Sequence, residues 1–130
     1  MATTHDIEPG QAIDLSRTVV GFARADGRAR VVEQPGGPPQ RIDGFTVGAP
    51  DLTGDAPHDG EMHPDGDELL YLVSGAVTVC LELAGGDRIV ELRSGDALVV
   101  PRGVWHKITL RDPGRLIHIT PGPNGEARFL

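Results

Sequence analysis

The sequence predicts an all-β protein with few or no helices. Of its 130 residues, 18 are glycine and 11 are proline, and so many chain-breaking residues favour short strands joined by turns. No segment places apolar residues at helical spacing over three turns, whereas short β-rich segments recur at close intervals. This pattern is typical of a sandwich or barrel, and the length allows one domain with a hydrophobic core.

The expected strands are short aliphatic and β-branched segments, which lie at 18–23, 29–33, 44–47, 68–73, 76–83, 88–92, 97–100, 104–110 and 115–120. Turn signals rich in Gly, Pro, Asp and Ser separate many of them, at 35–39, 74–75, 85–87, 94–96, 101–103 and 112–114. We therefore expect a barrel over residues 16–120, a flexible N-terminal arm at 1–15 and a C-terminal tail at 121–130.

Charge and composition argue against several partner classes. The formal net charge is −7 and no Lys/Arg cluster occurs, so a phosphate backbone would be repelled and nucleic acid is not an expected partner. The first residues lack a signal-peptide pattern, and no apolar run is long enough for a membrane span. The single cysteine, Cys80, cannot form an internal disulfide. These features predict a cytoplasmic protein.

The first chemically informative stretch, 60–75, reads GEMHPDGDELLYLVSG. Glu61 and His63 point to the same face if this segment is extended, because a strand alternates its side chains. Glu68 lies five residues after His63, which would oppose them on one unbroken strand. The proline and glycine between them indicate a turn or bulge that can bring Glu68 back to the face of His63.

Glu68 also begins an apolar strand. Alternation puts Leu70 and Leu72 on its face, so the carboxylate enters an interior where an unpaired charge is costly. A cation, an arginine or a bound ligand would each compensate the charge.

A second segment, 95–110, supplies a matching histidine. Its sequence predicts an apolar strand, a Pro-Arg-Gly turn and a strand with His106, Ile108 and Leu110 on one face. An imidazole in line with two aliphatic side chains is expected to be buried and to need a partner. A divalent transition metal prefers nitrogen and oxygen donors, and such donors are present on Glu61, His63, Glu68 and His106.

These residues resemble the two motifs of the cupin family. His63, Glu68 and Gly75 fall at the second histidine, the glutamate and the closing glycine of the first motif. The second motif, Gly, five residues, Pro-x-Gly, two residues and His, is matched by Gly95, Pro101, Gly103 and His106. The chain is thus similar to a small single-domain cupin, and the resemblance implies a jelly-roll barrel (a double-stranded β-helix).

Two positions depart from the family pattern. Leu110 stands where an asparagine is usual, at a position that is not a usual metal ligand. Glu61 stands where the first histidine is expected, so the resemblance implies a site of two histidines and two carboxylates for Fe²⁺, Mn²⁺, Ni²⁺ or Zn²⁺. If Glu61 is not a ligand, it becomes a candidate general base, because a carboxylate in an apolar mouth has a raised pKa.

Three further residues have both a structural and a functional interpretation. Arg102 is either a turn residue or an anchor for a substrate carboxylate. His118 is either a half-buried histidine with a satisfied partner or a side chain turned toward the cavity. His58 is a surface residue, a substitute ligand or a cap on the entrance. Arg102 and His118 are therefore candidates for the substrate pocket.

Three functions follow from this resemblance. The first is a metal-dependent enzyme acting on a small organic molecule inside the barrel, by dioxygenase-type or metal-assisted isomerase or lyase chemistry. The second is a binding module, metal-loaded or empty, that holds a small ligand without turnover. The third is a structural barrel that supports a dimer, and the family resemblance implies a homodimer in each case.

Overall fold

The fold was analysed in a computed structural model that describes residues 2–36 and 39–129. The first residue of the predicted arm, the last residue of the predicted tail and two residues of the predicted turn at 35–39 lie outside the described residues. These are Met1, Leu130, Gly37 and Pro38.

The described residues form eleven antiparallel strands and no helix. Their bounds are β1 Thr4–Asp6, β2 Val19–Ala23, β3 Ala29–Val32, β4 Gly44–Gly48, β5 Asp51–Leu52, β6 His58–Met62, β7 Glu68–Leu83, β8 Gly86–Arg93, β9 Ala97–Val100, β10 His106–Gly122 and β11 Glu126–Phe129. One path of neighbours runs β1-β3-β2-β4-β10-β6-β11, and β7 joins it through β10 and also pairs with β8 and β9. The predicted all-β jelly roll is confirmed.

The two longest strands of the barrel are β7 and β10, and they pair with each other. Each merges two segments that the sequence predicts as separate strands, because the turn signals at 74–75 and 112–114 form facing bends instead of chain reversals. Gly75 has φ +87°, and a Cβ on Gly75 would lie 2.6 Å from the carbonyl oxygen of Asp112. Glycine therefore lets the two strands bend together while both remain paired.

The core lies between the curled halves of the sheet. It is aliphatic and is formed by Leu70, Leu72, Val77, Val79, Leu81, Leu92, Val100 and Leu116. The even-numbered residues of the first half of β7 point inward, and Glu68, Leu70 and Leu72 are each at most 4% exposed. The alternation inferred from the sequence therefore carries the Glu68 carboxylate into the interior.

Strands also occur outside the nine predicted segments. β1 lies within the predicted arm and pairs with β3, while β11 lies within the predicted tail and pairs with β6. The sheet thus extends beyond residues 16–120 in both directions. β1, β5, β6 and β11 carry too few apolar residues to give a strand signal, and they form because longer strands offer them paired edges.

No helix in the described residues is long and apolar enough to cross a lipid bilayer.

Candidate metal centre

The register between β6 and β10 brings the first two donors together. Glu61 and His106 are direct Cα partners across this antiparallel pair, so their side chains project from the same face. His63 follows the end of β6. Ligand atoms of Glu61, His63 and His106 all lie within 4.8 Å of one another.

Glu68 approaches the same point from the start of β7. Residues 64–66 form a turn and bend between β6 and β7, which resets the alternation, as expected from the proline and glycine there. Glu68 Oε2 lies 3.4 Å from His63 Nε2, and Glu68 Oε1 lies 3.0 Å from His106 Nε2. The structure therefore brings together all four donors inferred from the sequence.

Curling of the long ladder makes this meeting possible. In the β7–β10 pairing, His106 is opposite Leu81, thirteen residues along β7 from Glu68. A straight strand would separate those two positions by roughly 40 Å. The bends at Gly75 and at residues 112–114 fold the ladder back on itself, so that both of its ends contribute to one site.

Buried polar atoms without partners test whether a cation fits. His63 is 5% exposed, Glu68 4% and His106 4%. Within the described residues, His63 Nε2, His63 Nδ1 and Glu68 Oε1 have no hydrogen-bond partner. Glu68 Oε1 and His106 Nε2 are thus 3.0 Å apart without forming a well-directed hydrogen bond. Unpartnered buried atoms are costly, and a divalent ion accepting lone pairs from His63 Nε2 and Glu68 Oε1 would satisfy those two atoms, so the donor set fits a metal.

The hydrogen bonds of His106 and Glu68 also suit metal ligands. His106 Nδ1 lies 3.4 Å from the carbonyl oxygen of Val104, which leaves Nε2 facing the other donors when the imidazole is neutral. Thr120 donates its hydroxyl proton to Glu68 Oε2 at 2.6 Å. His118 Nδ1 lies 2.9 Å from the same hydroxyl oxygen, and it must be the donor because the hydroxyl has only one proton.

Protonation of the buried pair follows from opposing effects. Burial disfavours charge on both Glu68 and His106, but their mutual attraction outweighs it, so the pKa of Glu68 is lowered and that of His106 is raised. Burial dominates at His63, and its pKa is lowered despite the nearby carboxylates. Without a metal, burial therefore favours the neutral form of His63, whereas the carboxylate of Glu68 favours the protonated form of His106. Metal binding would displace the proton of His106.

Glu61 is oriented by His58. His58 Nε2 lies 3.1 Å from Glu61 Oε1, and His58 Nδ1 accepts the backbone N–H of Gly60 at 3.2 Å. Since Nδ1 is an acceptor, the ring N–H is on Nε2, beside Glu61 Oε1. The other carboxylate oxygen, Oε2, lies 3.7 Å from His63 Nε2. His58 is therefore a partly buried residue that lies against Glu61.

Two adjoining cavities open on the donors. The inner one has a volume of about 170 Å³ and an apolar wall of Leu70, Ile108 and Leu116, and His118 also lines it. The outer one has a volume of about 820 Å³ and reaches the tail strand β11. Both cavities are lined by Arg41, Ala56, His58 and Glu61.

The two substrate-pocket candidates are placed differently. His118 lines the inner cavity, as its functional interpretation requires. Arg102 lines neither cavity. It lies in the exposed turn at 101–103, where its backbone N–H donates to Asp67 Oδ1 at 2.8 Å. The structure therefore does not place Arg102 where it could anchor a ligand near the four donors.

Sequence reasoning missed Arg41 and Thr120. Arg41 belongs to no motif and precedes β4 after a Pro/Gly-rich loop. Thr120 lies at the end of an apolar segment, where a β-branched residue indicates a strand and nothing more. A weak signal for Thr120 was its even separation from His118, which puts both side chains on one strand face.

Comparisons with known proteins agree with this architecture. The sequence matches the family described as "Cupin domain" over residues 53–120. Among solved structures, a cupin-2 domain containing protein from Shewanella frigidimarina aligns with TM-score 0.51 and 22% identity, covering 60% of this chain and 71% of that one. No curated protein gives a significant sequence match.

Oxalate decarboxylase from Bacillus subtilis, a protein with Mn(II) centres, is a larger protein whose structure is similar to part of this chain. It aligns with TM-score 0.56 and 18% identity, covering 64% of this chain but only 23% of its own length. At this identity the likeness concerns the fold. The family match spans both motif regions, from the segment before Glu61 to Thr120. The chain therefore belongs to the cupin family.

Proposed function

We propose that this cupin binds one divalent transition metal through His63, Glu68, His106 and Glu61, and that it acts as an enzyme on a small organic molecule in the adjoining cavity. The observation that carries the proposal is the convergence of these donors, together with unpartnered buried atoms on His63 and Glu68. The Mn(II) centres of the oxalate decarboxylase support a metal on this fold. Iron, manganese, nickel and zinc are all compatible with the donor set.

The proposed chemistry is dioxygenase-type cleavage or metal-assisted isomerisation or elimination. A bound divalent ion would polarise a substrate oxygen and stabilise developing negative charge. Leu70, Ile108 and Leu116 would exclude water from the inner cavity, which strengthens electrostatic interactions there. Glu61 is either the fourth ligand or the base that removes a proton, and His58 would hold its carboxylate in place in both roles.

Metal content is the decisive measurement. Protein expressed without added metal should contain a stoichiometric transition metal by elemental analysis, and His63→Ala and His106→Ala should each lose it. His5→Ala, at an exposed histidine remote in sequence, is the control. Retention of metal by both site variants would refute the proposed centre, and far-UV circular dichroism would verify that each variant is folded.

Variants of Glu61 separate its two proposed roles. If Glu61 is a ligand, Glu61→Ala loses metal affinity and Glu61→His restores it. If Glu61 is a base, Glu61→Ala keeps its metal and loses turnover.

The alternative function is a binding module without turnover, because nothing in the site requires a reaction. Oxygen uptake by the iron-loaded protein, together with a substrate screen across the four metals, separates the two. A silent screen with intact metal binding would favour the binding module. A cytoplasmic homodimer remains the proposed state, and sedimentation velocity across a range of concentrations tests the dimer.

A further inference from the structure

Arg41 is a half-buried cation that lines both cavities. Its one hydrogen bond within the described residues runs from Nη1 to the neighbouring Gln40 carbonyl oxygen, at 3.5 Å. No carboxylate in the described part of the chain lies within 4.0 Å of its guanidinium. Several exposed arginines do have such partners, for example Arg24 with Asp43 and Arg115 with Asp51. Most of the five N–H donors of Arg41 are thus available to a ligand.

Charges around Arg41 indicate an anionic occupant once metal is bound. Burial lowers the pKa of Arg41, and the nearby carboxylates of Glu61 and Glu68 oppose that effect. A divalent ion would neutralise those two carboxylates, while Arg41 would keep its own charge. The inner cavity would then carry one uncompensated positive charge. Glu126 lines only the outer cavity, where it is exposed to solvent.

Size and polarity restrict the ligand further. The inner cavity of about 170 Å³ is equivalent to roughly five or six water molecules. Leu70, Ile108 and Leu116 make one wall apolar, so a ligand with a short hydrocarbon part would bury it there. A doubly charged ligand would exceed the single positive charge of the metal-loaded cavity.

We propose that Arg41 binds the carboxylate of a small organic monoacid whose apolar part lies in the inner cavity. This inference rests on the proposed function, because the two glutamates would repel an anion if no metal neutralised them. The carboxylate anchor is therefore Arg41, which lines both cavities, and not the predicted Arg102, which lines neither. A planar guanidinium with free donors can hold a carboxylate through two parallel hydrogen bonds.

The test uses zinc-loaded protein and isothermal titration calorimetry. The probes are acetate, butanoate and benzoate, each compared with its neutral amide, and zinc content is measured on every sample first. We expect at least one acid to bind the wild type more tightly than its amide. Arg41→Gln should weaken that binding roughly tenfold or more, the range for losing hydrogen bonds to a charged group. Arg88→Gln, which removes the same charge from an exposed position on β8, should bind like the wild type.

The outcomes distinguish this inference from the metal centre. Wild-type protein that takes up no zinc would refute the centre, and with it the charge balance behind the inference. Zinc-loaded protein that binds no acid better than its amide, or that binds equally well with Arg41→Gln, would overturn the role of Arg41 alone. If Arg41→Gln does not fold, Arg41→Lys serves instead, because it keeps the charge but loses the planar fork; unchanged affinity there would overturn bidentate binding.

Discussion

At the residue scale, the site depends on a chain of hydrogen bonds behind Glu68. His118 donates to Thr120, and Thr120 donates to Glu68. Thr120 is fully buried, so each of its polar contacts is made inside the protein. Such supporting contacts fix the direction of a ligand oxygen and are commonly as important as the ligand itself.

Thr120→Val should weaken both the fold and the site. The variant keeps the shape but removes the donor to Glu68 and the acceptor of His118. We expect a loss of about 1–3 kcal/mol in the free energy of unfolding, measured by urea denaturation in EDTA, and metal affinity lower by about 10–100-fold. Thr109→Val, at a half-buried strand position, is the matched control. Wild-type metal affinity in Thr120→Val would show that this hydrogen bond does not orient Glu68.

His118 should make stability depend on pH. Burial, assisted by the charge of Arg41, lowers its pKa from 6.5 to about 4. Between these values the unfolded chain binds more protons than the folded one, so the free energy of unfolding falls as pH drops from 6.5 to 4. The loss from this group amounts to at most about 3 kcal/mol.

His118→Asn should flatten this dependence, since asparagine retains a donor to Thr120 but does not titrate. Urea denaturation in EDTA at pH 7, 6 and 5 measures the effect, with His5→Asn as the exposed control. Parallel pH curves for wild type and His118→Asn would contradict the assignment.

At the element scale, the main features of the fold could be predicted from the sequence. Period-two alternation after Glu68 correctly gave the inward face of β7, and the turn between His63 and Glu68 correctly gave the reset of that alternation. The turn signals at 74–75 and 112–114 predict breaks between separate strands, but the two bends face each other within paired strands. Local sequence marks where the backbone can deviate, whereas the long-range pairing decides whether it turns or bends.

Gly75→Ala should destabilise the paired bend. Alanine at φ +87° costs about 1–2 kcal/mol, and its Cβ would also press against a β10 carbonyl, so we expect a total of about 2–4 kcal/mol. Gly85→Ala is the control, because a Cβ there meets no atom within 4 Å. Urea denaturation of both variants measures the difference. Equal stabilities would show that the bend tolerates a side chain.

At the scale of the whole molecule, the site exists because the sheet curls and brings the ends of β7 and β10 together with β6. Sequence motifs identified His63, Glu68 and His106 without any knowledge of the three-dimensional path, because their spacing follows the family pattern. Arg41 and His58 could not be assigned in the same way. Their positions depend on how the segments before β4 and within β6 lie across the barrel mouth, and neither segment carries a periodic signal. What the sequence predicted best was therefore the convergence of the four donor side chains, and what it predicted least was the cavity around them.

The most direct test is a crystal structure of the manganese-loaded protein, with anomalous diffraction measured at the manganese absorption edge. We predict one strong anomalous peak per chain, within coordination distance, about 2.0–2.3 Å, of His63 Nε2, His106 Nε2 and a Glu68 oxygen. The same map would show whether Glu61 is the fourth ligand. A peak elsewhere on the protein, or none at these side chains in a fully loaded sample, would contradict the metal centre.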